Sequence, residues 1–152
     1  MPPRKRRIPV VFDTNVIVGF YLSQSKTSAN RQAFRLWRDQ RKLQLIISDQ
    51  VLKEYLEVLA RLGVSEVLVE RLEERFKRRQ TVTFVSLGPR PTLSRDPDDN
   101  LLIATARSGK ARFLVTNDHD LLDIPVTEQA RLRLAIVTPV KFLASLRAGD
   151  PK

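Results

Sequence analysis

An α/β fold, with a mostly parallel sheet sandwiched between helices, is what this sequence predicts. Three observations lead there. Five short apolar or alternating runs read as strands, at Ile8–Phe12, Leu43–Ile47, Thr81–Leu87, Phe113–Thr116 and Leu134–Val137. Helical stretches separate them, and strand–helix–strand alternation implies crossover connections that make neighbouring strands parallel. The length of 152 residues, 42% of them hydrophobic, suits one domain with one core.

Each element has its local reason. Ile8–Phe12 is a β-rich apolar run, and Val16–Leu22 is an apolar helix start, so Asp13-Thr14-Asn15 is a strand-to-helix turn. Thr27–Arg41 is helical, with Ala33, Leu36 and Trp37 on one face. After the second strand, Ser48 caps a helix carrying Val51, Leu52, Tyr55, Val58, Leu59 and Leu62, and Gly63 ends it. A charged helix from Ser65 to Gln80 precedes the third strand. GPRPTLSRDP is a Gly/Pro-rich loop, followed by a helix over Pro97–Ser108. The fourth strand leads into a short helical turn, and the fifth into a last helix from Pro139. The domain is expected to span 8–147, with loose ends at 1–7 and 148–152.

Composition narrows the chemistry. With no cysteine and a single histidine, His119, thiolate sites and multi-imidazole sites are excluded, and any metal must be held by oxygen. The formal charge of +10, from 27 Lys+Arg against 17 Asp+Glu, favours a polyanionic partner. Arg4, Lys5, Arg6 and Arg7 read as a solvated tail, with a phosphate-gripping arm as the alternative. No apolar run is long enough to span a bilayer and no signal peptide is evident, so the expectation is a cytoplasmic protein.

Ligands of open parallel sheets bind beyond the carboxyl ends of the strands. Asp13 follows the first strand directly, Asp118 follows FLVT after one residue, and Glu54 lies on the helix leaving the second strand. Asp96, Asp98 and Asp99 open the helix after the Pro-rich loop. Each acid has a structural explanation by itself. Asp96-Pro97-Asp98-Asp99 has the composition of a capped helix N-terminus, Asp118 is placed to cap HDLL, and Asp13 to form an Asx turn. Glu54, six residues past Ser48, is no cap and stands on the margin of the apolar stripe. Four segments nevertheless deliver carboxylates to one edge of a basic chain. Such a cluster repels itself unless pKa values rise or a cation binds, and hard oxygen ligands point to Mg²⁺ or Mn²⁺.

FDTNVIV at Phe12–Val18, SDQVLKEYLEVL with Glu54, DPDDNLLIATA at Asp96–Ala106, LVTNDHDLL at Leu114–Leu122 and the closing IVTPVKFL at Ile136–Leu143 together resemble the PIN-domain nucleases. The likeness is specifically to the small toxins of VapBC-type toxin–antitoxin pairs. It implies a PIN-like three-layer α/β/α sandwich. It also implies metal-binding, catalytic acids at Asp13, Glu54, Asp99 and Asp118. Asn15, Thr116, Asp98 and Asp120 match surrounding polar positions, and Asp99 is taken over Asp98 from its spacing to Ala104 and Ala106. The implied reaction is phosphodiester hydrolysis in RNA with one or two divalent ions. The implied partners are an antitoxin and a second copy of the chain in a homodimer.

Arg90, Arg95, Arg107 and Lys110 flank the third motif and are candidates for attracting RNA, as solvated surface charge is for the same residues. Phe20, Tyr21 and Trp37 are available for base stacking, with core packing as the plainer role. His119 reads as a surface residue. Two rivals stand beside the nuclease: a PIN module that binds RNA or protein without cleaving, and a receiver-like phosphoacceptor domain. The latter would want paired acids after the first strand, where this chain has Asp13 and then Thr14-Asn15.

Overall fold

The computed structural model describes residues 6–23, 28–87 and 100–148. Five strands form one sheet: β1 (Ile8–Phe12), β2 (Leu43–Ser48), β3 (Val82–Val85), β4 (Phe113–Val115) and β5 (Ala135–Val137). Their order is β3-β2-β1-β4-β5 and every pairing is parallel. Val10, Val11 and Phe12 of the central strand are wholly buried. A strand covered on both faces has no solvent side to alternate towards, which is why IPVVF reads as a continuous apolar run.

The helices are α1 (Thr14–Leu22), α2 (Ala29–Arg38), α3 (Asp49–Arg61), α4 (Glu66–Phe76), α5 (Leu101–Ser108), α6 (His119–Leu122), α7 (Val126–Leu132) and α8 (Pro139–Arg147). Serines open three of them. The hydroxyls of Ser28, Ser48 and Ser65 accept from the amides of Arg31, Val51 and Leu68. Gly63, at φ 86°, takes the left-handed conformation that stops α3. Trp37 joins the layers, with Phe34 at 5.4 Å and Phe76 at 5.5 Å between ring centroids. Its indole N–H donates to the Thr81 carbonyl at 3.0 Å, so this aromatic belongs to the core rather than to a base-stacking surface.

Several expected boundaries move. Helix α1 starts at Thr14, directly after Asp13, so the turn is tighter than the sequence predicted. The helix expected from Pro97 is described from Leu101, and its cap is Asn100, whose Oδ1 accepts from the amides of Leu102 and Ile103. Asp96-Pro97-Asp98-Asp99, expected to open it, lie outside the described residues. Helix α7 was not expected. It has no side-chain cap at Pro125, and Val126 at its start is 80% exposed. Arg7, assigned to the tail, donates from Nε to the Arg41 carbonyl at 3.1 Å; residues 1–5 and 149–152 of the expected tails lie outside the described residues.

Candidate active site

Because all five strands are parallel, their carboxyl ends share one edge, and the site is built there. Asp13 leaves the end of β1, where its amide donates to the Val115 carbonyl of β4 at 2.9 Å. It occupies the N-cap position of α1, and the backbone amides of Thr14 and Asn15 face its carboxylate, as an Asx turn would have them. Its Oδ2 also accepts from the hydroxyl of Thr116 at 2.6 Å and from Nδ2 of Asn15 at 3.3 Å. Thr116, fully buried at the end of β4, also accepts on that hydroxyl from the amide of Asp118 at 2.9 Å. One threonine thus sets both the Asp13 carboxylate and the backbone that carries Asp118.

Burial pushes the Asp13 carboxyl above its ordinary pKa; the Thr116 hydrogen bond opposes this, and the negative charge of Asp118 adds to it. Asp118 is exposed, and its Oδ1 accepts from the Asp120 amide at 2.9 Å. The capping explanation of Asp118 therefore holds, and it coexists with the electrostatic link to Asp13. Asp120 and His119 are exposed on α6.

Glu54, exposed on α3, accepts at Oε2 from the Thr14 hydroxyl at 3.2 Å, which brings the third acid to the residue after Asp13. The neighbouring Tyr55 is buried and its hydroxyl donates to the Phe12 carbonyl, anchoring the last residue of β1. Its pKa is raised well above the ordinary value by burial, with the charges of Asp13 and Glu54 adding. Three of the four predicted acids are thus gathered around the end of β1. Asp99, Asp98, Arg95 and Arg90 lie outside the described residues.

Residues not predicted complete the rim. The Oδ1 of Asn15 accepts from the backbone amide of Asn117 at 3.3 Å, and Asn117 Nδ2 reaches Asn30 Oδ1 at 3.1 Å. Asn30 approaches this closely because α1 offers a glycine. A Cβ on Gly19 would stand 2.2 Å from the Asn30 side chain. A glycine inside an otherwise apolar helix was the one sequence signal for that contact. Arg107 and Lys110, expected beside the third motif, instead lie with Arg112, Arg131 and Arg133 around a cleft where β4 and β5 begin, on the opposite edge from the acids.

Among the described residues, no three Asp, Glu or His side chains converge closely enough to hold a metal by themselves. Asp13, Glu54 and Asp118 do fit a hard divalent cation in kind. They are oxygen donors, Asp13 is half-buried against its own charge, and the pair Asp13–Asp118 repels.

A PIN-domain family profile matches residues 9–120. The chain belongs to the PIN-domain family. Members are generally nucleases and generally use divalent metal ions. Among solved structures, the chain is similar to one described as VapBC2 from Rickettsia felis bound to a DNA fragment from their promoter. The identity is 17%, the match covers 85% of this chain and 97% of that one, and the TM-score is 0.50, a likeness of fold. No curated protein matches. No helix among the described residues is long and apolar enough to cross a membrane.

Proposed function

We propose that this PIN domain is an endoribonuclease that requires Mg²⁺ or Mn²⁺ and is the toxin of a toxin–antitoxin pair. The observation that carries the reading is the coupling of Asp13, Thr116 and Asp118 at the carboxyl end of the two central strands, with Glu54 tied in through Thr14. Asp13, Asp118, Glu54 and Asp99 are the residues that would hold one or two cations. When bound, these supply Lewis-acid stabilisation of the phosphate and a water of lowered pKa.

The protein's own contribution is orientation. Thr116 fixes the direction of the Asp13 carboxylate, and Asn15 ties the β1 exit to the Asn117 backbone. Such hydrogen bonds around ligating groups hold them in a productive geometry. Asp120, exposed on α6, and Asp98 are the further acids of the proposed site, and Arg95 is the basic residue of the third motif retained for phosphate attraction. The toxin role rests on the PIN family together with the toxin–antitoxin complex named for the fold's neighbour; a cognate antitoxin and a homodimer are part of the same proposal, and the cytoplasm is its setting.

The test is cleavage of a mixed panel of single-stranded RNA and DNA by wild type and Asp13→Asn side by side. Cleavage of RNA that needs Mg²⁺ or Mn²⁺, stops with EDTA and vanishes in the folded variant is the expected result. Binding of RNA without products at any metal concentration would make the domain a binding module instead.

A further inference from the structure

Two clefts of about 340 and 330 Å³ lie where α2 faces α4, and they share Arg38 and Arg75, so they form one groove. Its walls are arginine. Arg31, Arg38 and Arg41 come from α2 and the turn after it; Arg71, Arg75 and Arg78 come from α4 and the turn after it. Spacings of seven for Arg31 and Arg38, and of four for Arg71 and Arg75, keep each pair on one helix face. Against six guanidinium groups, Asp39 is the acid that pairs among the described residues, with Arg38 at 2.8 Å. The Arg38 hydrogen bond, with the charges of Arg38, Arg75 and Arg35, holds the Asp39 carboxyl below its usual range.

The groove is preorganised. Arg31 and Arg38 lie over the Phe20 ring at 5.4 and 4.5 Å, which fixes their planes and occupies the aromatic face that a base would otherwise use. Arg31 donates from Nη2 to the Ser23 carbonyl at 2.9 Å, which holds its guanidinium in place.

The groove also leads somewhere. Asn30, one residue before Arg31, holds Asn117 between Thr116 and Asp118 at the acidic edge. From there α2 and the turn after it lead to Arg41, beside the start of β2 on the opposite edge. Arg31 and Arg38 are about 10 Å apart along the helix axis.

We propose that this groove binds the phosphate backbone of single-stranded RNA, tracking the strand from the acidic edge towards the far edge of the sheet. The inference rests on RNA being the substrate. Arginine forks match phosphate oxygens two at a time, and their contacts grip the backbone without reading bases. The Arg31 end of the groove lies one residue along α2 from Asn30, which touches the acidic edge, and this favours a polymer that must also reach that edge over an acidic protein segment.

The experiment uses the full chain carrying Asp13→Asn, so that binding is read without cleavage. Fluorescence anisotropy compares it with the same chain carrying Arg71→Ala and Arg78→Ala, two exposed positions outside the core, on a single-stranded RNA of about 16 nucleotides. The expected result is an affinity about tenfold weaker or more, and a slope of log affinity against log salt reduced by about 0.7 per arginine removed. Lysine at both positions should keep most of the slope.

In the otherwise wild-type chain, cleavage of an RNA of about four nucleotides should be spared while that of the longer one falls. Unchanged affinity and slope in a folded double variant overturn the proposal. So does loss of polyglutamate binding with RNA binding intact, which would make the groove a site for an acidic protein segment. If the wild type cuts nothing while the arginines still govern RNA affinity, the nuclease reading fails and the groove stands.

Discussion

Asp13 is held where a charge is costly. Burial, and to a smaller extent the nearby Asp118, raise its carboxyl pKa, and hydrogen bonds from the Thr116 hydroxyl and the backbone of Thr14 and Asn15 only partly oppose them. The sign of its effect on stability follows by linkage. A carboxyl whose folded-state pKa lies above the unfolded value stabilises the fold fully below the unfolded pKa. It loses that contribution as pH rises through the raised folded value. At neutral pH and without a cation, the ionised group therefore works against folding. Asparagine has the same shape, keeps an oxygen for Thr116 and carries no charge. Asp13→Asn should accordingly melt at the same temperature as wild type or higher at pH 7 in EDTA. The difference should shrink once the pH falls below about 4, where a free carboxyl is protonated too. Thermal unfolding followed by circular dichroism across that range checks it, and a variant less stable at pH 7 would contradict the assignment of burial as the dominant cause.

At the scale of elements, the contact of α1 with α2 decides whether the rim of the site can form. Gly19 lets Asn30 in, and an added Cβ would come within 2.8 Å of the Asn30 Cβ, so a side-chain rotation alone does not relieve the clash. Alanine gains up to about 1 kcal/mol in helix propensity over glycine, whereas overpacking of a close contact costs about 1–3 kcal/mol. Gly19→Ala should thus lose about 1–2 kcal/mol in urea unfolding by these two terms, and lose activity as Asn30 is pushed from Asn117. A more stable variant would show that the helices separate freely. This contact also marks the limit of what the sequence displayed. The central strands were legible because burial on both faces makes contiguous apolar runs, α2 by its apolar face of Ala33, Leu36 and Trp37, and α3 by its Ser48 cap. Asp13, Glu54 and Asp118 were legible because a parallel sheet sends every strand's end to one edge. Thr14–Glu54 and Asn30–Asn117 were not, since they bring together residues 40 and 87 apart and depend on how closely helices approach. Helix α7 escaped for want of a capping side chain, and Asn100 was overlooked because Asp96-Pro97 offered an equally good local pattern.

For the whole molecule, parallel topology sorts charge. Basic residues stand at the beginning of every strand: Arg7 before β1, Lys42 before β2, Arg79 before β3, Arg112 before β4 and Arg133 before β5. Acids follow β1, β2 and β4 as Asp13, Asp49 and Asp118. A chain of net charge +10 can therefore still present a negative edge, because charges separated by more than a Debye length of about 8–10 Å are largely screened. The net charge disfavours scattered cation binding, so a stabilising divalent ion should report on that edge. Occupancy at about 100 times the dissociation constant adds about 2.7 kcal/mol to the folded state. For a chain of 152 residues this corresponds to a rise of about 5–10 °C in Tm. Wild type should show it with Mn²⁺, against NaCl at matched ionic strength, while Asp13→Asn should not. An equal rise in both proteins would place the ion somewhere other than beside Asp13, and no rise in either would remove the divalent cation from the proposed chemistry.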